Sequence, residues 1–342
     1  MSAGVIERVV VASAKPSAAP SGGSGTATAR NSGLPSLGRQ HELEHNVEIK
    51  VGWEMWVDAM RFLVVESETE REREERRASA GKSAGESFAA TLRQMLDGCS
   101  IRSVTPSDPD VQPTTSADVA QSDAVFLSGS PLHVYDDTDE TRRQIAFMRE
   151  VFASGTPSFG SCAGLQIAVA AAGGRVRKMV ARQEAGIAHG ITRTDEGRDH
   201  ALLAGRPVAC DAPAIHGDEV EELPKGSILL ASNAAVHVQA AEIRCGNGVF
   251  WGVQYHPELA PGEIAAALRR QSSELQEAKL ADTDEDVEVQ ASLLDDLHRQ
   301  PERTSRRWRL GVGAEFAQED LRRRELRNFL DHVPRLRGRE QR

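Results

Sequence analysis

The chain has 342 residues, 39% of them hydrophobic, so it can bury one substantial core or two smaller ones. No apolar run approaches the roughly 20 residues that a membrane-spanning helix needs. The formal net charge of −10, from 41 Lys and Arg against 51 Asp and Glu, argues against nucleic acid as the main partner, because phosphate binding requires clustered cations. The four cysteines have no metal-ligand spacing, so we expect a cytoplasmic protein with no metal and no cofactor. They are Cys99, Cys162, Cys210 and Cys245.

The N-terminal residues 1–59 are expected to lie outside the fold. Their first part is rich in Ser, Ala, Gly and Pro and has no sustained hydrophobic period, which is typical of disordered segments. Met60 then precedes the apolar run 61–65, the kind of run that opens a parallel α/β sheet. We therefore predict that the fold begins at Met60 and that residues 1–59 are a disordered or non-native extension.

A densely charged stretch, residues 66–86, follows this first strand. Its composition indicates a solvated loop or an exposed helical face, and the alternative is a lid near the end of the strand. Phe88, Leu92 and Met95 then recur at helical spacing. The sequence thus predicts a helix after the charged stretch.

The next segments alternate between strand and helix. Residues 124–127 form a short apolar run that leads into Ser128-Gly129-Ser130-Pro131, and a glycine-bearing loop at that position can direct backbone N–H groups at a ligand. A helix with an apolar stripe follows and ends at Gly155. Strand and helix in alternation predict an α/β fold, a three-layer sandwich with a mostly parallel central sheet.

Residues 156–174 carry the most informative pattern in the chain. An apolar strand enters Gly160-Ser161-Cys162-Ala163-Gly164 and an alanine-rich helix leaves it, which is the arrangement of a nucleophile elbow. Cys162 would lie at the tip of the turn, where the unpaired N–H groups of the helix start favour the thiolate, the reactive form. The alternative is a buried structural cysteine.

After Gly174 the chain changes to short strand-like runs separated by turns, so part of the sheet is expected to be antiparallel. The last run, residues 249–255, delivers His256 to a strand end. Glu258 lies two residues further on an extended segment and points to the same side as His256. Base and orienting carboxylate are what an activated nucleophile needs, so we expect Cys162, His256 and Glu258 to form a catalytic triad.

The remaining residues, 271–342, differ in composition. An acidic segment precedes Arg-rich sequence with interspersed aromatic and aliphatic residues. We predict a charged helical extension that packs on the main domain, with a docking surface for another subunit as the alternative.

The elbow, the QYHPE segment around His256 and the SGSP loop together resemble the class I glutamine amidotransferases, which carry a Cys-His-Glu triad. The resemblance covers roughly residues 60–270 and implies the flavodoxin-like fold of that family. Within this range, IHGDEV from Ile215 to Val220 is similar to the glutaminase domain of GMP synthetases.

The resemblance also implies further site residues. By motif position, the backbone donors for the oxyanion would come from Ala163 and from Gly129 or Ser130. Ser130 departs from the family, which usually has a second glycine there. Gln166 matches a residue that contacts bound glutamine, and His216 and Asp218 are similar to groups near its α-amino and α-carboxylate ends. Glu184 is a weaker candidate for the same pocket.

These features predict an amide hydrolase. The first hypothesis is a glutaminase subunit that passes ammonia to an acceptor enzyme on another chain, because the sequence lacks a nucleotide-binding loop of its own. The second is a stand-alone γ-glutamyl hydrolase, which needs no partner. The third is a non-catalytic regulatory protein that keeps the fold.

Overall fold

The computed structural model describes residues 60–181 and 184–338. The predicted N-terminal extension, residues 1–59, lies outside the described residues. The described fold opens with a strand at Arg61, directly after Met60. Within this part of the chain, no helix combines the length and the apolar content needed to cross a membrane.

The structure confirms the strands predicted on both sides of the elbow and adds two short ones. The strands are β1 (Arg61–Val65), β2 (Ser100–Val104), β3 (Ala124–Leu127), β4 (Ser158–Ser161), β5 (Arg175–Lys178), β6 (Ala185–Arg193), β7 (Ala209–Ile215), β8 (Asp218–Glu222), β9 (Ile228–Ser232), β10 (Ala240–Cys245) and β11 (Gly248–Val253). Sequence analysis missed β5 and β8, which pair with each other in a separate antiparallel ribbon.

Nine of the described strands form the main sheet, in the order β2-β1-β3-β4-β11-β10-β9-β6-β7. The strands from β2 to β11 are paired in parallel. Those from β11 to β7 are paired antiparallel, as the turn-rich second half of the sequence predicts. Ligand sites in parallel sheets lie beyond the carboxyl ends of the strands, so the parallel half determines where the site is.

The helices lie on both faces of the sheet and complete the predicted sandwich. They are α1 (Glu70–Ala80), α2 (Ala84–Met95), α3 (Ser116–Val119), α4 (Asp139–Ser154), α5 (Ala163–Ala171), α6 (Asp195–Asp199), α7 (Pro261–Arg270), α8 (Ser272–Glu277), α9 (Asp284–Arg299), α10 (Thr304–Leu310), α11 (Ala314–Ala317), α12 (Glu319–Arg322) and α13 (Arg324–Gly338). The sheet has a hydrophobic core on each face, and alternate residues of β1 point into opposite cores. Phe62 and Val64 pack with α2 and α13, whereas Leu63 and Val65 pack with α4 and α5.

The charged stretch after β1 forms a largely exposed helix, as predicted, but the residues just before that helix are buried. It forms α1, whose Thr69 cap accepts a hydrogen bond from Glu72 N–H, but Glu66 and Glu68 before it are buried. Glu66 accepts hydrogen bonds from Gly85 N–H and from two serine hydroxyls, and Glu68 accepts one from Ala84 N–H. Both carboxylates therefore hold the N-terminus of α2, where the helix dipole favours negative charge.

The predicted C-terminal extension consists of helices joined by short loops in its described part, and its last helix reaches the main core. Phe329 of α13 lies with its ring centroid 5.5 Å from that of Phe126, 5.6 Å from Phe159 and 5.8 Å from Trp251. These three aromatic residues come from the strands β3, β4 and β11. Helix α13 is thus part of the layer that covers the sheet, while the domain boundary at residue 270 stays a prediction.

A buried ionic cluster fastens α13 to the sheet. The guanidinium of Arg206 donates to both carboxylate oxygens of Glu325, at 2.7 and 2.5 Å. Tyr255, which precedes His256, donates its hydroxyl to the same carboxylate at 2.7 Å. All three side chains are almost fully buried, so the charge of Glu325 is what compensates Arg206.

We predict that Glu325→Ala lowers the free energy of unfolding by about 3–5 kcal/mol, because it leaves the Arg206 guanidinium buried without its counter-charge. Urea unfolding followed by circular dichroism measures this. The control is Glu288→Ala, whose carboxylate pairs with Arg269 at the surface and should contribute little. Equal stability of the Glu325 variant and the wild type would contradict the prediction.

Candidate active site

The elbow around Cys162 is a strained turn. Cys162 has φ 52° and ψ −112°, a backbone region that residues other than glycine rarely adopt. Its N–H donates to Val253 O at 2.9 Å and its carbonyl accepts from Gln166 N–H at 3.1 Å. A Cβ on Gly160 would lie 2.9 Å from the backbone of Gly164, so the strand and the helix approach too closely for a side chain there.

His256 reaches the elbow because β11 pairs in parallel with β4. Val253, the last residue of β11, is in register with Ser161, the last residue of β4, so both chains leave the sheet side by side. His256 N–H donates to Pro213 O at 2.7 Å, which holds the segment in place. Cys162 and His256 therefore leave the sheet at the same edge, although they are far apart in the chain.

The imidazole of His256 is placed between a carboxylate and a thiol. Its Nδ1 lies 2.7 Å from Glu258 Oε1, and both side chains are buried. Burial acts to lower the pKa of His256, but the charge of Glu258 and the hydrogen bond to Cys162 outweigh it and raise that pKa to about 10. The arrangement therefore favours an imidazolium beside the sulfur, the state that stabilises a thiolate.

The loop after β3 lies directly against this imidazole. A Cβ on Gly129 would lie 2.8 Å from His256 Cε1, so the contact requires glycine. Ser130 lines the same cleft, and its hydroxyl accepts from Leu132 N–H at 3.0 Å. The backbone of Ser130 does not have a positive φ, so the serine fits this loop without that strain. Ala163, the third predicted oxyanion residue, begins α5 and is buried.

The predicted substrate-binding residues line one side of the cleft, but their polar atoms are engaged with the protein. Gln166 Nε2 donates to Asp218 O at 3.3 Å and to Gln254 Oε1 at 3.2 Å. His216 contacts Asp218 O through Nδ1 at 2.9 Å and Glu184 Oε2 through Nε2 at 2.8 Å. Both ring nitrogens of His216 are occupied, so His216 is better placed to position Asp218 than to contact a ligand.

Glu184, the weaker candidate, is the centre of this buried network. Besides His216, its carboxylate accepts from the side-chain amides of Asn233, at 2.5 Å, and Gln239, at 2.9 Å. Burial acts to raise the pKa of Glu184, but these donors outweigh it, and the net effect is a lowered pKa. Glu184 is therefore a buried anion that stiffens the wall of the cleft.

Sequence analysis missed His133 and Tyr135, which contact the carboxylate of Asp218. His133 Nδ1 lies 2.6 Å from Asp218 Oδ2, and Tyr135 donates its hydroxyl to Oδ1 at 3.0 Å. The hydrogen bond to Asp218 raises the pKa of His133. Both residues follow the SGSP loop, and no motif marks them, because the contact depends on the position of β8.

The cleft itself has a volume of about 920 Å³ and extends from Cys162 towards the charged helix α1. Glu68, Arg76 and Arg270 line this second side. Burial raises the pKa of Glu68 to about 7, in spite of Arg76 nearby. Helix α1 thus forms a wall of the cleft, and its role as a lid stays a prediction. Among residues 60–181 and 184–338, no group of His, Cys, Asp and Glu side chains suits a metal ion.

The raised pKa of His256 predicts a stability that depends on pH. An imidazole has a pKa near 6.5 when unfolded and about 10 here, so its contribution is fully present below about 6.5 and is lost as the pH rises towards 10. The difference in free energy of unfolding between wild type and His256→Gln should shrink over this range. Urea unfolding at several pH values, with an NMR titration of the imidazole, measures it.

The matched control is Glu258→Gln, which removes the charge that raises the pKa of His256 and should flatten the dependence. An imidazole that titrates near 6.5 in the folded wild type would contradict the prediction.

The sequence was compared with known proteins. γ-Glutamyl-L-1-hydroxyisopropylamide hydrolase from a Pseudomonas species is 31% identical over 280 residues, which cover 81% of this chain and 94% of that protein. A glutamine-hydrolysing GMP synthase from Methylobacillus flagellatus is 32% identical over 192 residues, covering 53% of this chain but only 32% of the synthase. The chain thus spans about a third of that relative's length.

Among solved structures, a glutamine amidotransferase from Thermotoga maritima matches with a TM-score of 0.56 at 15% identity, covering 80% of this chain and 97% of that one. At such low identity the match supports the fold alone. The family model described as glutamine amidotransferase class-I matches residues 80–273, which contain the elbow, the loop after β3 and the segment after β11. The chain therefore belongs to the class I glutamine amidotransferase family.

Proposed function

We propose that this protein hydrolyses γ-glutamyl amides through a covalent thioester on Cys162. The observation that carries the proposal is that Cys162 and His256 line one cleft, where Glu258 Oε1 lies 2.7 Å from His256 Nδ1. A nucleophile, a base and an orienting carboxylate, arranged in that order in space, are the groups needed to activate a thiol.

The reaction follows from this geometry. The Cys162 thiolate attacks the γ-carbonyl carbon, and the resulting oxyanion faces the backbone N–H groups of Ala163 and of Gly129 or Ser130. The C–N bond then breaks as the His256 imidazolium gives its proton to the leaving amine. Water, deprotonated by His256, attacks the thioester, and the second collapse releases glutamate and restores the thiol.

The glutamyl half of the substrate is proposed to lie on the side of Gln166 and Asp218. Gln166 lies on the helix that follows the elbow, is 2% exposed and donates a hydrogen bond to Asp218 O. The carboxylate of Asp218, held by His133 and Tyr135, is an anion at the cleft that can attract the α-ammonium group of a glutamyl substrate. His216 supports Asp218 from behind.

Two observations favour a substituted amide over glutamine itself. The similarity to the γ-glutamyl amide hydrolase covers 81% of the chain, more than residues 60–270 alone, whereas the similarity to the GMP synthase covers 53%. The cleft of about 920 Å³ also continues past Cys162 to Glu68, Arg76 and Arg270, which leaves room for an amine larger than ammonia.

The second candidate is the first hypothesis from the sequence, a glutaminase subunit that supplies ammonia to an acceptor enzyme. The similarity to GMP synthase favours it, and this hypothesis has the acceptor enzyme on a separate chain. All four cysteines are free thiols, and the cytoplasmic location expected from the cysteine pattern stays a prediction.

The first test is Cys162→Ala, which should lower kcat by more than about 1,000-fold, because no other group can form the thioester. The control is Cys210→Ala. Burial raises the pKa of the Cys210 thiol to about 12, so it stays protonated and should be dispensable. Iodoacetamide followed by peptide mass spectrometry should label Cys162 first.

Activity that survives in Cys162→Ala would reject the thioester mechanism. Failure of every γ-glutamyl amide to react, with Cys162 unlabelled at neutral pH, would instead favour the third hypothesis, a non-catalytic protein.

The second test compares substrates. We expect kcat/KM for γ-glutamyl-L-1-hydroxyisopropylamide to exceed that for glutamine by at least about tenfold, a difference of about 1.4 kcal/mol in transition-state binding that the second side of the cleft can supply. Amine and ammonia release are measured separately. A preference for glutamine that rises when a synthetase partner is added would support the second candidate.

A further inference from the structure

Ser161, the residue directly before Cys162, is a further polar group at the site that no motif assigns. It ends β4, is fully buried and is not among the residues that line the cleft. Its backbone is in register with Val253 at the end of β11. Because side chains alternate along a strand, Ser161 lies on the same face as Phe159, which is the side covered by α2 and α13.

The Ser161 hydroxyl donates to Glu258 Oε1 at 2.8 Å. The same oxygen lies 2.7 Å from His256 Nδ1, so one carboxylate oxygen receives both donors. Glu258 Oε2 is buried and has no hydrogen-bond partner among the described residues. Ser161 is therefore one of two groups that fix the orientation of this carboxylate.

From this geometry we infer that Ser161 is a positioning residue for catalysis, which acts by holding Glu258 Oε1 towards His256. The inference rests on the proposed function, since it assigns a role within the same Cys162 mechanism. Without the hydroxyl, rotation about the last side-chain bond of Glu258 exchanges two buried oxygens with only the imidazole to choose between them. The hydroxyl removes that freedom and makes Oε1 the oxygen that faces the ring.

The position of Ser161 also links the two strands that lead into the site. It belongs to the strand that carries the nucleophile, whereas Glu258 follows the strand that carries the base. The hydrogen bond from Ser161 to Glu258 thus links the thiol and imidazole sides of the site by a path that does not pass through the reacting atoms. The strained backbone at Cys162 directly follows it, so the link also ties the elbow to the carboxylate.

Ser161→Ala should lower kcat by about 10- to 100-fold, the loss expected for one hydrogen bond to a charged group. KM should change by less than about twofold, because Ser161 does not touch the cleft. Ser161→Thr, which keeps a hydroxyl, should recover most of the activity. Steady-state hydrolysis of γ-glutamyl-L-1-hydroxyisopropylamide and of glutamine measures these values.

A role through Glu258 also predicts non-additivity. In the Glu258→Gln background, Ser161→Ala should reduce kcat by less than about twofold further, because the carboxylate that it orients is already gone. Ser158→Ala is the matched control. Ser158 is a buried serine on the same strand, and its hydroxyl donates to Val249 O at 3.4 Å, away from the site.

Three results would overturn the inference: Ser161→Ala as active as Ser158→Ala, a loss of equal size with or without the Glu258 carboxylate, or a loss confined to KM. Circular dichroism checks folding, and Ser161→Gly, which also lacks the hydroxyl, replaces a variant that does not fold. If Cys162→Ala or Glu258→Gln keeps wild-type activity, the proposed function itself fails. If both lose activity and Ser161→Ala does not, only the positioning role fails.

Discussion

The parallel pairing of β4 with β11 is the constraint on which the site depends. It sets Ser161 beside Val253, so Cys162 and the segment with His256 and Glu258 leave the sheet next to each other. Backbone hydrogen bonds then hold both segments, among them those from Cys162 N–H to Val253 O and from His256 N–H to Pro213 O. A slip of one residue would turn the side chains to the opposite face, so the register itself keeps the three groups together.

Buried carboxylates support this frame at several points, and each has its own donors. Glu66 and Glu68 hold the start of α2, Glu184 stiffens the wall behind Asp218, and Glu325 joins α13 to Tyr255. A buried charge is costly unless it is paired or fully hydrogen-bonded, so these contacts specify one arrangement of the elements. The carboxylate of Glu258 differs, because one of its oxygens has no partner among the described residues. The orientation of this carboxylate therefore depends on the contacts that Ser161 and His256 make with its other oxygen.

The parts of the site that could be predicted from the sequence are those set by local geometry. The elbow requires glycine at close approaches, as its local pattern predicts. The expectation of an extended segment from His256 to Glu258 was wrong, because the chain turns there and Leu259 N–H donates to His256 O at 3.3 Å. Contacts that depend on the tertiary arrangement could not be predicted. Glu66 and Glu68 lie in a stretch whose composition indicates solvent, yet the docking of α2 buries both.

The same reasoning explains the other misses. His133 and Tyr135 meet Asp218 only because β8 lies beside their loop, and β8 itself is a short charged strand without the alternation that marks strands in sequence. Ser161 was visible within the elbow, but nothing local connects a serine to a carboxylate that follows another strand. In each case the partner is distant in sequence and is supplied by sheet order, which periodicity does not encode.

The proposed triad alone does not separate a γ-glutamyl amide hydrolase from an ammonia-supplying subunit, because thioester formation and hydrolysis are common to both. What distinguishes the two candidates is the fate of the leaving amine, and in the proposed reaction that amine would leave on the side of the cleft opposite Asp218. There the wall is formed by α1 and α7, with Glu68, Arg76 and Arg270 facing the cavity. Under the proposed function, these side chains would hydrogen-bond the polar part of a substituted amine. On the proposed function, substrate choice would depend on the charged helix after β1, whereas the chemistry would depend on the paired strands.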